Sequence, residues 1–124
     1  MSLVKTTESF EPDNLFAGWV QPVNSDSGIV LTGQGVLVRG TVLGKITASK
    51  KLKVVDSAQS DGSQLVYCVL AEDVDTTSAD AVAPIYLTGE FNKNELVFGG
   101  SDDAATHEVQ ARNIGIFFKD VVSK

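Results

Sequence analysis

The sequence predicts a mainly β protein with one short C-terminal helix. Two observations carry this. From Gly28 onward, short apolar runs alternate with clusters of Gly, Asn, Asp and Ser, which is the spacing of strands and turns. Only residues 101–112 join a helix start signal to an uninterrupted series of helix formers.

Taken in order, Gly28–Leu31 is the first apolar run, and Val36–Val38 follows the pair Gly33 and Gly35. Thr41–Leu43 stands between Gly40 and Gly44, and Lys51–Val55 is another short strand. Lys50, Lys51 and Lys53 read as a solvated hairpin end. A polar loop spans residues 56–64, with Asp61–Gly62 as its turn. Leu65–Ala71 is nearly all apolar, which predicts a strand buried on both faces. Val82–Leu87 contains Pro84, a residue that cannot donate to a ladder, so an edge or a bulge is expected there. Glu95–Phe98 is read as a strand after an Asn92–Asn94 turn. Ser101–Asp103 offers a cap and acidic charge at a helix start, Ala104–Arg112 is the helix, and Arg112 suits its C-terminal dipole. Ala105 and Val109, four apart, are expected to face the core. Ile114–Phe118 is the last strand.

The first residues differ in kind. Residues 1–15 are polar and aperiodic and read as a flexible N-terminal arm, with the body at 16–124. Phe10 and Pro12 are the exceptions within the arm, and Leu15 and Phe16 open the first apolar cluster. These four are the candidate anchors for a partner, because aromatic and proline side chains add contact area at low entropic cost.

At 124 residues the chain has the size of one domain. A single cysteine, Cys68, excludes an intramolecular disulfide and is read as a buried strand residue. The start of the chain has no apolar signal core, and no apolar run approaches the length of a membrane span, so cytoplasmic synthesis and no membrane are expected. The net charge of −6 disfavours nucleic acid as a partner.

No pattern for catalysis emerges. Gly40, Gly44 and Lys45 miss a phosphate loop by one residue, with Ile46 where a hydroxyl would hold magnesium. Gly33 and Gly35 lack the third glycine and the helix of a dinucleotide fingerprint. His107 is the only histidine and is read as a surface residue on the helix. One Cys and one His cannot build a structural zinc site. Glu72–Asp75 fails as a calcium loop, since Ser78 and Pro84 fall where glycine and glutamate are required, and it reads as a solvated turn. The expectation is a binding protein with no catalytic residue, cofactor or metal.

Four segments together carry a resemblance: residues 12–18 (PDNLFAG), 37–47 (LVRGTVLGKIT), 69–75 (VLAEDVD) leading into 85–92 (IYLTGEFN), and 112–118 (RNIGIFF). In order and spacing they resemble the lambda-type bacteriophage head decoration proteins, over roughly residues 12–119. Residues 21–26 depart from that pattern. The resemblance implies a β-clip-like homotrimer on the outer surface of the expanded phage head. It would sit at local three-fold sites and cement the major capsid protein against packaged DNA. It also implies an N-terminal arm that orders on the capsid, so that Phe10, Pro12, Leu15 and Phe16 become expected capsid contacts. Two alternatives are another virion component, such as a tail or baseplate module, and a trimeric β-clip nucleotide hydrolase. The magnesium and base-recognition motifs of the latter are not visible in this sequence.

Overall fold

One long strand organises the molecule. The structure, a computed structural model, describes residues 15–18 and 23–120. Among these residues, nine strands and one α-helix follow in order: β1 (Phe16–Gly18), β2 (Asn24–Val30), β3 (Val36–Leu37), β4 (Val42–Lys45), β5 (Leu52–Val54), β6 (Cys68–Leu70), β7 (Val74–Asp75), β8 (Ala81–Asn92), α1 (Ala104–Arg112) and β9 (Ile116–Lys119). The 12-residue β8 pairs antiparallel with β2 on one edge, from Asn24↔Thr88 to Val30↔Ala81. On its other edge it pairs with β6, Val69 opposite Tyr86. The circuit continues β2–β5–β4–β6, so five strands close into a small barrel. Past Thr88, β8 leaves the barrel and takes β1 and β9 as new neighbours, antiparallel and parallel respectively. Strands β3 and β7 form a separate ribbon. The β4–β5 hairpin closes at Lys50, which has φ +66°.

Alternation along β4 and β6 sets up two cores. Leu43, Cys68 and Leu70 turn into the barrel with Val30, Leu52, Ala83 and Ile85. Val42 and Val69 turn outward to a second layer with Phe91, Ala111, Ile116 and Phe118. This is why Leu65–Ala71 reads as apolar on both faces: its core portion is a wall between two apolar layers. The strand itself covers only Cys68–Leu70, while Leu65 is half exposed. Cys68 is fully buried, and burial pushes its thiol pKa up.

Several sequence expectations change. Asn24–Ser27 are exposed and polar, yet they are strand, because β8 supplies the ladder. Glu95–Phe98 is not a strand. Lys93–Glu95 forms a 3₁₀ turn capped by the Asn92 side chain, and Val97 makes one isolated bridge to Thr41. Pro84 lies inside β8 rather than at an edge, opposite Ser27. Its carbonyl accepts from the Ala71 amide, but it has no N–H to return. The Arg39 Nε donates to the Ala71 carbonyl instead, at 3.1 Å, replacing the missing ladder bond.

The helix has the predicted bounds, Ala104–Arg112, with Asp103 as N-cap in a reciprocal capping box with Thr106. Its buried face is not the one expected. Ala105 and Val109 are exposed, Val109 at 71%, while His107 and Ala111 are buried. The expectation counted only apolar side chains, whereas the inward face carries a histidine whose polar atom has a buried partner.

Candidate functional site

The strongest chemical grouping joins Ser57, Asp102 and His107. Asp102 precedes the helix cap and Ser57 lies in the loop after β5. His107 is a correction to the surface reading: its side chain is 4% exposed and that of Asp102 is 6%. Nε2 of His107 lies 2.7 Å from Asp102 Oδ2. A carboxylate can only accept, so Nε2 carries the proton and donates. The ring also stacks on Phe98, with centroids 5.7 Å apart and planes 8° from parallel. Ser57 donates to the same carboxylate twice, from its hydroxyl at 2.7 Å and its amide at 2.6 Å.

The order of these groups decides their role. A nucleophilic triad places histidine between serine and carboxylate, so that the ring can take the hydroxyl proton. Here aspartate is the hub, and both serine and histidine spend their protons on it. The trio ties the loop after β5 to the start of α1. Asp102 is held below the usual carboxylate range, chiefly by the Ser57 hydroxyl, then the Ser57 amide, then His107. A depressed folded pKa contributes stability in full above the ordinary value of 3.8 and loses it as pH falls through the lower folded value. The clamp therefore weakens only below the ordinary carboxylate range. Replacing His107 with alanine is expected to lower stability by about 2–3 kcal/mol, through lost packing and a buried carboxylate short of one donor. Urea unfolding of the variant measures this, and a change below about 0.5 kcal/mol would contradict a clamp.

The glycines that resemble a phosphate loop serve packing. Gly40 has φ +99°, and a Cβ there would stand 2.5 Å from the Glu95 carbonyl oxygen. A Cβ on Gly44 would meet the Ser63 and Leu65 backbone at 2.6 to 2.7 Å. Both positions let two stretches of main chain approach, and neither precedes a helix. Among the described residues, no group of three or more His, Cys, Asp or Glu side chains is arranged to hold a metal. Glu72 and Asp73 are exposed, and Asp73 accepts from the Arg39 amide at 2.8 Å.

The proposed anchors divide. Phe10 and Pro12, with the rest of residues 1–14, lie outside the described residues. Leu15 is 3% exposed and belongs to the outer core, and its carbonyl accepts from the Asn92 amide at 2.7 Å. Phe16 is half-buried in β1, opposite Phe91. Its ring meets Tyr86 edge-on at 5.0 Å and Phe91 at 5.4 Å. The Arg39 guanidinium lies 5.9 Å from both the Phe16 and Tyr86 rings and donates to the Tyr86 hydroxyl at 3.3 Å. The chain thus joins the body through a buried leucine, an aromatic cluster and an arginine. Sequence reading missed Arg39 and Tyr86. Their only signal was an arginine within one apolar stretch and a tyrosine within another, a pairing that depends on the fold.

No curated protein matches the chain closely enough to count as a relative. The model of the family described as bacteriophage lambda head decoration protein D matches residues 4–116. That span takes in the barrel core, most of the outer layer, the helix and the junction at Leu15 and Phe16, and it stops at the first residue of β9. The chain belongs to the bacteriophage lambda head decoration protein D family, whose members are structural components of the phage head.

Proposed function

We propose that this chain decorates the outside of an expanded phage head as a β-clip-like homotrimer at local three-fold sites, and that it holds neighbouring capsid subunits together against packaged DNA. The family match over residues 4–116 is the observation that carries the reading. Residues 1–15 act as the docking arm and 16–124 as the body. Phe10 and Pro12 contact the capsid, while Leu15 and Phe16 anchor the base of the arm. An arm that adds as a strand to a capsid sheet edge gains main-chain hydrogen bonds with little demand on sequence. Three arms per trimer add avidity, so each contact can be weak. The charge of −6 suits a body facing solvent rather than DNA. Tying loops to helix, as the Asp102 hub does, suits a protein whose task is to stay folded under load.

Co-sedimentation with undecorated expanded heads tests the reading: the protein should pellet with heads to a saturating ratio, and protein left in the supernatant would reject it. Sedimentation equilibrium tests assembly. The expected mass is three times the 13.1 kDa chain, and a monomer at micromolar concentration would reject the trimer.

A further inference from the structure

The chain has 16 acidic and 10 basic residues, so its cations should find carboxylates easily. Among the described residues, Lys51, Lys53, Lys93, Arg112 and Lys119 each have one, at 2.7 to 3.9 Å. Arg39 is tied to Ala71 and Tyr86. Lys45 and Lys50 have no carboxylate partner among the described residues, and both line the same cleft.

That cleft, of about 270 Å³, also takes in Asp26, Ile29 and Tyr67. A second, of about 440 Å³, is lined by Leu65, Gln64 and Ile114 and shares Lys45 and Tyr67 with the first. The two clefts therefore meet at one pair of side chains. The Lys45 ammonium lies 4.7 Å from the centre of the Tyr67 ring, which fixes its position without neutralising it. Three large exposed apolar side chains line the clefts: Ile29, Leu65 and Ile114 at 46%, 51% and 39% exposure.

We propose that this groove binds an extended, acidic peptide segment of a partner protein, with carboxylates at Lys45 and Lys50 and apolar side chains over Leu65, Ile114 and Ile29. Charge complementarity selects the occupant. Unmatched cations in an otherwise acidic protein attract an anion, and the apolar lining on either side requires an anion that also carries hydrocarbon. A nucleic acid strand is disfavoured, because only two cations among the described residues face the groove, Asp26 stands beside them and the chain as a whole repels phosphate. The inference is separate from the head decoration reading and extends it with a second contact surface.

The test uses the full chain, labelled for NMR, and a nine-residue blocked peptide that alternates Leu or Val with Asp or Glu. Amide shifts should concentrate on Lys45, Lys50, Leu65, Tyr67 and Ile114. Binding should weaken about tenfold for the analogue with Asn and Gln in place of the acids, and about tenfold for Lys45→Glu. Lys50→Glu, at an exposed hairpin end, serves where Lys45→Glu disturbs folding, and it should weaken binding several-fold. Equal binding of the neutral analogue, unchanged binding by Lys50→Glu, or no shifts at millimolar peptide overturns the proposal. Displacement of the peptide by millimolar inorganic phosphate also overturns it, by making the site one for small anions. No phage head enters the assay, so a protein that decorates heads yet leaves the peptide unbound rejects the groove alone.

Discussion

Replacing Phe91 with alanine should lower stability by about 3–5 kcal/mol, the range for truncating a buried aromatic. Phe91 has no exposed surface and sits where the barrel, β1 and β9 share β8. It packs in the layer formed with Leu15, Val42, Val69 and Phe118, and its ring lies 5.4 Å from Phe16 and 6.1 Å from Tyr86. A cavity there cannot be filled from one side, because the backbone on both flanks is held in ladders. Single domains of this size are stable by about 5–15 kcal/mol, so the loss removes a large share of the total. Thermal unfolding should show a midpoint about 10–20 °C lower. Phe91→Leu keeps most of the volume and should recover most of the loss. A cost below about 1 kcal/mol for the alanine variant would mean that this layer collapses around the gap and that the extension past Thr88 is not part of one cooperative unit.

The features legible in the sequence were those with local causes. The helix bounds follow from Asp103, Thr106 and Arg112, all within nine residues of one another. The apolar stretch around Cys68 announced a wall between two layers, because both of its faces are apolar. Features with distant causes were not legible. Asn24–Ser27 have no strand character of their own and become strand because β8, some sixty residues later, offers a free edge. Pro84 signalled an edge or a bulge, and nothing near it in sequence indicates that Arg39 would stand in for its missing N–H. His107 read as a surface residue because a lone histidine beside Glu108 looks solvated. Its ring partners Asp102 and Phe98 lie just before the helix, and Asp102 is held in turn by Ser57 from 45 residues away. Lys45 was weighed only as part of a phosphate loop, and only the fold shows that it and Lys50, alone among the lysines of the described residues, lack a carboxylate partner.

Deleting residues 2–14 should leave the body folded, with a midpoint of unfolding nearly unchanged, and should weaken binding to expanded heads by about 100-fold or more. The sequence of this segment is polar and has no periodic apolar face, so it cannot offset an ordering cost of about 1–2 kcal/mol per residue on its own. In the reading proposed above, the capsid is the partner that orders it. The truncation point matters. Leu15 is buried in the outer core, with its carbonyl bonded to the Asn92 amide, and Phe16 packs on Tyr86 and Phe91. A cut after residue 14 keeps both, whereas Leu15→Ala should cost about 2–4 kcal/mol of stability through a cavity beside Phe91. The two variants separate docking from folding: the deletion should lose heads and keep its melting point, and Leu15→Ala should lose stability in the free protein. A truncated protein that decorates heads as tightly as the full chain removes the arm from the docking role. A truncated protein that unfolds moves the boundary of the body upstream of residue 15 and makes residues 2–14 part of the fold.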